Sequence, residues 1–387
     1  MADGSNAAIV GIGQTEFSKS SGRSELQLAC EAIRAALDDA GLSPADVDGM
    51  TTFTLDSTED VDLVRSLGVR NLRFSSRVPH GGGGSTGTLA HAMAAVDSGL
   101  ANVVVAWRAL NERSEARFGI AHNLPSQPMR GSGTGFMEWS IPFGAMTPAA
   151  WTALQAQRYM ERYGVGNEDL GAVSVLLRRA AATNPAAWFH GKPITLADHQ
   201  ASRWIIEPVF RLLDCCQESD GAVALVVTSR ERARDLRQPP VRILHATQAV
   251  PFETEVVTNF YHADLTRFDS GIAAGRELVR RTGVGPKDIQ VAMLYDHFTI
   301  AVYWHLEAFG FCKPGEARDY VAEGHLALGG RMPLSPNGGL IGEAYIHGLN
   351  NITEAVRQLR GTAANPVAGV EHVLVSAGMS GAILGRD

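Results

Sequence analysis

The chain opens with Ala7–Gly13, a short apolar stretch closed by glycine, and this pattern predicts a buried strand. Behind it Leu26, Ala29, Cys30, Ile33, Leu37 and Ala40 recur at helical spacing on one face, and Gly41 stops the helix they imply. Leu42–Met50 then leads into a second apolar strand around Thr51–Thr54. The same passage returns far along the chain. Ala274, Leu278 and Val279 run to Gly283, the connector Val284–Ile289 places its proline and aspartate as Leu42–Val47 does, and the apolar strand Val291–Leu294 follows. A helix–Gly–x–x–Pro–x–Asp connector is common in its own right. Two copies so far apart nevertheless predict two related halves, each a sheet flanked by helices.

Further apolar runs predict strands at Asn102–Ala106, Val241–Val250, His372–Ser376 and Ala382–Leu384, and at Ala222–Thr228 behind a turn at Asp220–Gly221. Residues 118–207 differ in composition. They hold the run Gly131–Ser132–Gly133–Thr134–Gly135, the aromatics Phe136, Trp139, Trp151, Trp188 and Phe189, and amphipathic patterns near Ala149–Tyr163 and Leu170–Ala182. This stretch reads as a cap inserted over a site. The expected division is 1–118 with 205–235 as a first half, 119–204 as the insert, and 236–387 as a second half.

Composition narrows the class. The 387 residues are 45% hydrophobic and 19% charged with 41 glycines, which suits a globular α/β protein of two or three packed units. A net charge of −7 argues against a general nucleic-acid binder. Cysteines 30, 215, 216 and 312 show neither disulfide-framework nor metal-ligand spacing, so a reduced, cytoplasmic setting is expected. The start lacks a signal-peptide pattern, and no apolar run approaches the roughly 20 residues needed to span a bilayer.

Four loops carry the candidate chemistry. The first, Val78–Pro79–His80–Gly81–Gly82–Gly83–Gly84–Ser85–Thr86–Gly87, ends at a helix start, where bare backbone N–H groups can hold an oxyanion or a phosphate. A plain flexible loop is the bland alternative. The second, Leu294–Tyr295–Asp296–His297–Phe298–Thr299, lies at the C-terminal end of an apolar strand, where open α/β sheets gather ligands. Asp296 there also suits the cap of the following helix. The third, Ser335–Gly348, is a glycine-rich run into the helix carrying Ile352, Val356 and Leu359. The fourth, Val375–Ala382, reads as strand, tight turn and strand.

Together these loops resemble the four catalytic loops of the thiolase superfamily, in particular its sterol-carrier-protein type and bacterial lipid-transfer relatives. The likeness covers essentially the whole chain. It implies a thiolase fold: duplicated βαβ-rich halves in αβαβα layers with an inserted loop domain, and a dimer. Ser85–Thr86–Gly87 matches the end of the family's Asn-Asn-Asn-Cys-Ser-Thr-Gly loop, which sets Gly84 at the nucleophilic cysteine. Ser335–Ile346 aligns with Asn-Pro-Lys-Gly-Gly-Leu-Ile-x-x-Gly-His-Pro, so Tyr345 takes the histidine's place. The last loop's Cys-x-Gly turn corresponds to Ser376–Gly381, without its cysteine.

A thiolase needs a thiolate to carry the acyl group and a base for the second step. Gly84, Tyr345 and Ser376 offer neither. Two phenols, Tyr295 and Tyr345, arrive instead, and exchanging cysteine for glycine is expected to free volume at position 84. Retro-aldol cleavage of a β-hydroxyacyl thioester needs a proton acceptor and an oxyanion site but no nucleophile.

In this altered form the loops resemble those of the steroid side-chain-cleaving aldolases of cholesterol-degrading actinobacteria. That resemblance implies cleavage of a 17-hydroxy steroid side-chain CoA ester to a 17-keto steroid and propionyl-CoA. It also implies an OB-fold partner of the acyl-CoA-associated type, in a heterotetramer around a homodimer, with no cofactor beyond the CoA of the substrate. Tyr295 and Tyr345 become the proton-transfer pair, with base and acid assignable either way. Asp296, His297, Glu343 and His347 are candidates for tuning them, and Gly83, Gly84, Ser85 and Gly378 form the oxyanion and substrate loop. A non-catalytic acyl-CoA carrier and a scaffold subunit remain rival readings.

Overall fold

The structure is a computed structural model that describes residues 5–79, 81–115, 117–120, 140–252, 254 and 262–387. The run Gly131–Gly135 with Phe136 and Trp139, and His80 of the first loop, lie outside the described residues.

Strand β1 (Ala7–Gln14) and helix α1 (Glu25–Ala40) pack backbone to backbone. The helix starts where the Ser24 hydroxyl accepts the Gln27 N–H and ends at Gly41, whose φ of 75° suits glycine. Two glycines of β1 make the close approach possible. A Cβ on Gly11 would stand 2.1 Å from the Ala36 carbonyl oxygen, and one on Gly13 would stand 2.2 Å from that of Ala32. Beyond Gly41 a turn at Pro44–Asp46 is closed by Asp46 Oδ2, which accepts the Ser43 N–H at 3.0 Å, and β2 (Gly49–Phe53) follows.

The repeated sequence builds this joint a second time. Helix α5 (Asp269–Thr282) ends at Gly283 with φ 72°, Asp288 Oδ2 accepts the Gly285 N–H at 2.9 Å, and strand β7 (Val291–Met293) follows. In chain order the other strands are β3 (Phe74–Val78), β4 (Val103–Asn111), β5 (Asp220–Ser229), β6 (Val241–Gln248), β8 (His372–Ser376) and β9 (Ser380–Arg386).

One nine-stranded sheet runs β3-β2-β4-β5-β1-β6-β9-β8-β7. Its two sides mirror each other in pairing sense. β2–β4 is parallel while β4–β5 and β5–β1 are antiparallel; likewise β7–β8 is parallel while β8–β9 and β9–β6 are antiparallel. The sides join where Ala8 pairs with Arg242 and Ile9 with Val241. The edge strand β3 has only a single bridge, Ala292–Leu334, as its counterpart beyond β7.

Helix α2 (Ser85–Asp97) and helix α7 (Leu349–Arg360) are buried against strands of both sides, through Leu89, Ala92, Ile352 and Val356. Helix α1 covers the outer face of the first side. The outer face of the second carries α5 and α6 (Thr299–Ala308), with α3 (Pro148–Tyr163) and α4 (Asn167–Ala182) packed on α6. The result is the αβαβα layering of a thiolase fold.

Two expectations need correcting. Asp220 and Gly221 do not form a turn: they continue β5, paired with Asn111 and Leu110. The Asp220 carboxylate accepts the N–H groups of Ser21, Arg113 and Ser114, each at 3.0 Å, so a residue typical of turns is tied into the sheet end. Patterning also passes over β3, because Phe-Ser-Ser-Arg-Val at a sheet edge buries only Val78.

The close β1–α1 contact yields a test. Gly11→Ala forces the helix off the strand and should cost about 1–3 kcal/mol, read as a lower denaturant midpoint at unchanged slope. An unaltered midpoint would contradict the packing.

Candidate active site

Tyr295 leaves the C-terminal end of β7, and Tyr345 follows the one-turn helix Gly339–Gly342 of the third loop. Their hydroxyls meet at 2.7 Å with the rings inclined at 56°. The first loop meets them as well. A Cβ on Gly82 would fall 1.5 Å from the Tyr295 hydroxyl oxygen, and one on Gly348 (φ 79°) would lie 3.0 Å from its ring. The glycine run therefore does more than bare its amides, because Gly82 makes the space the phenol occupies. Burial raises both phenols well above 10; the bond from Tyr345 partly offsets this for Tyr295, while Tyr295 raises Tyr345 further. The pair is held neutral, each hydroxyl able to donate and to accept.

Of the residues expected to form an oxyanion loop, Gly83 and Gly378 come together. The carbonyl of Gly83 accepts the Met379 N–H at 3.1 Å and the Ser380 hydroxyl at 2.9 Å, which ties the first loop to the fourth. Gly378 adopts φ 90° in that fourth loop, and its Cβ would lie 3.6 Å from Gly83 Cα. Ser85, 1% exposed at the start of α2, has an Oγ with no hydrogen-bond partner. Gly84 differs from expectation. A Cβ there would meet the Pro79 carbonyl oxygen at 2.4 Å and Val78 Cγ1 at 3.1 Å. The loop main chain has closed over the cysteine's place, so no volume is freed at position 84.

Two of the candidate tuning residues anchor loops, and a third packs on Tyr295. Asp296 is fully buried and accepts the N–H groups of Leu340 at 2.9 Å and Ile341 at 3.3 Å, capping the one-turn helix. Burial pushes its carboxyl up to about 7. Glu343 accepts from the side-chain amides of Asn184 (3.1 Å), Asn337 (2.6 Å) and Asn350 (2.9 Å), binding the third loop to the end of α4. His297 lies 4.8 Å from the Tyr295 ring at a 37° tilt with Nδ1 3.3 Å from the Tyr295 carbonyl, and burial lowers it to about 4.

His347 alone of the four stands against Tyr345, edge to face at 5.3 Å, with φ 49°. Arg108 Nε donates to its Nδ1 at 3.1 Å, which leaves the ring proton on Nε2. Arg108 in turn pairs with Asp56 at 2.6 Å, both fully buried. Burial, then the Arg108 charge, pushes His347 well below 6.5.

Sequence reasoning missed Arg108, Asp56, His305 and Cys216. Arg108 was visible as a lone charge in the strand Val-Val-Val-Ala-Trp-Arg-Ala-Leu, and His305 as a lone polar residue in an apolar helix. His305 Nδ1 is hydrogen-bonded to the hydroxyl of Ser376, at the family's second cysteine position, and burial lowers it to about 3. Cys216, like Tyr345, packs against the cluster of Tyr295, Leu340 and Ala377, and burial raises its thiol well above 9. Burial also raises Cys215, and Cys312 to about 12, so neither is a ready thiolate. Among the described residues no group of histidine, cysteine and carboxylate side chains is arranged to hold a metal ion.

The model of the thiolase C-terminal domain-like family matches residues 254–384. The steroid side-chain-cleaving aldolase of Thermomonospora curvata is 52% identical over 385 residues, 98% of each chain. The 17-hydroxy-3-oxo-4-pregnene-20-carboxyl-CoA lyase of Mycobacterium tuberculosis is 53% identical over 383 residues, 98% of this chain and 99% of its own. The solved Ltp2-ChsH2(DUF35) aldolase superposes with a TM-score of 0.94 at 51% identity, covering 99% of this chain and 98% of that one. A thiolase fold with glycine at the thiol's place and two paired phenols at the histidine's place and in the second loop, and identity above 50% over 98% of its length, make this chain a member of the steroid side-chain-cleaving aldolase family.

Proposed function

We propose that the chain is a retro-aldol carbon–carbon lyase that cleaves a 17-hydroxy steroid side-chain CoA ester to a 17-keto steroid and propionyl-CoA. The observation that carries the reading is the 2.7 Å contact between two buried phenols at the former histidine position and the second loop. The names of the relatives supply the steroid and the CoA ester.

The proton balance fits the pair. One phenol oxygen takes the C17 hydroxyl proton as its own proton passes to the other. The bond from C17 to the α-carbon breaks, C17=O forms, and the electron pair moves into the thioester enolate. In the same concerted relay the second phenol gives its own proton to the α-carbon as it receives the first's, so neither oxygen carries two protons and both end neutral. No free phenolate is required, which suits hydroxyls raised well above 10 by burial. The amides of the Gly83–Ser85 and Gly378 loops are the donors we assign to the enolate oxygen. Electrons and protons balance with the substrate alone, so no cofactor enters. Tyr345 as the first acceptor and Tyr295 as the α-carbon donor is the assignment we favour, since the His347 ring meets that of Tyr345 edge to face.

A DUF35 protein is named with the solved aldolase, which supports a heteromeric complex for this chain too; a homodimer at the centre of a heterotetramer extends that proposal. Four free cysteines support a reducing, cytoplasmic setting.

Tyr345→Phe and Tyr295→Phe should each lower kcat for propionyl-CoA release by about 10²–10⁴-fold, with KM changed only a few-fold. If both variants cleave at the wild-type rate, the phenols are spectators and a carrier reading gains. Gly82→Ala should displace the Tyr295 hydroxyl and cost about 10²-fold in kcat while substrate still binds. A fully active Gly82→Ala enzyme would show that this contact has no part in the reaction.

A further inference from the structure

Strand β4 alternates its side chains between two cores. Trp107 and Ala109 face α1, whereas Val104 and Ala106 face the inner layer. Arg108 is on that inner side, where it reaches His347, and Glu112 follows at the same alternation just past the strand end. The β4–β5 pairing ends where Asn111 meets Asp220; Glu112 opens the turn that follows on one segment, and Ser219 precedes Asp220 on the other. The Ser219 hydroxyl accepts the Tyr345 N–H at 3.3 Å, and neighbouring Glu218 forms a bridge with Tyr345. Glu112 lies at this end of the sheet, close enough for its charge to act on both phenols.

Glu112 is 3% exposed and its Oε2 has no hydrogen-bond partner. Leaving such an oxygen unbonded costs about 1–3 kcal/mol, which the phenol site retains for a reason other than stability. The surrounding charges are engaged elsewhere. Arg108 holds Asp56 and His347, Arg117 holds Glu218 at 2.6 Å, and Lys19 Nζ donates to Gln217 Oε1 at 3.0 Å and the Glu218 carbonyl at 2.5 Å. Burial first, then the Glu218 charge, raises Glu112 well above the ordinary carboxyl range; Arg108, Lys19 and Arg117 pull against this. Cys216, Tyr295 and Tyr345 are the other titratable groups that feel its charge, and all three are themselves raised.

The enolate oxygen lies two bonds from the carbon that a phenol protonates, so its hydrogen-bond donor must flank the phenols. We propose that Glu112 is a further catalytic residue whose carboxylic acid O–H donates a hydrogen bond to the thioester oxygen as the enolate forms. The proposal rests on the retro-aldol reading. A carboxylic acid kept neutral in an apolar site can serve an enolate in this way. Ionisation removes the donor, so activity is present where Glu112 is protonated and is lost as pH rises through its pKa.

The test follows propionyl-CoA release from a 17-hydroxy steroid side-chain CoA ester over pH about 6–10, with the full chain in complex with its DUF35 partner. Wild type should show an alkaline fall in kcat. Glu112→Gln, which keeps an N–H donor, should retain kcat within about 10-fold and lose that fall. Glu112→Leu should lose about 10²–10³-fold in kcat with little change in KM. Wild-type kcat in Glu112→Leu, or an alkaline fall that persists in Glu112→Gln, would overturn the proposal. Should Glu112→Leu fail to fold, the Gln profile still decides. Wild type that releases no propionyl-CoA at any pH defeats the retro-aldol reading itself, a result separate from either variant outcome.

Discussion

The site depends on one hydrogen bond, between the hydroxyls of Tyr295 and Tyr345. Burial makes that bond functional rather than incidental. In water two phenols would bond to solvent, but among Leu340, Ala377 and Cys216 each finds its partner in the other. Much of the surrounding structure brings them together. Gly82 and Gly348 vacate the space the Tyr295 ring and hydroxyl fill. Asp296 caps the short helix ahead of Tyr345, and Glu343 pins the same loop through three amides. These two carboxylates act on the backbone that carries the phenols.

The scaffold shows how a covalent acyl-transfer site can turn to proton transfer without a new fold. The first and fourth loops are tied together by the bonds from Met379 and Ser380 to the Gly83 carbonyl. The chemistry at the loop tips changed. Gly84 is covered by Pro79, Ser376 is engaged by His305, and the nearby thiols are held protonated by burial. Claisen chemistry through a thiolate has no group here to begin it. An enolate is common to Claisen and aldol reactions.

Much of this was legible from the chain. The paired Gly–x–x–Pro–x–Asp connectors announced the duplication, because a left-handed glycine and an aspartate-closed turn leave a local sequence mark. Tyr295 and Tyr345 were found through the resemblance of their loops to the catalytic loops of the thiolase superfamily. What escaped was set by distant contacts. The cover over Gly84 depends on where Pro79 folds back, and the Asp56–Arg108–His347 relay joins residues on three separate segments. Asp220 reads as a turn residue because its three backbone partners lie in other parts of the chain. Edge strand β3 has too few buried residues to mark a period.

Cleavage of the 17-hydroxy steroid CoA ester in D₂O, with no free CoA thiol added, tests the central claim most directly. Protonation of a thioester enolate by an exchangeable phenol proton predicts equal amounts of 17-keto steroid and propionyl-CoA, with one deuterium at the α-carbon. A requirement for added CoA thiol, or propionyl-CoA released without deuterium, would contradict it.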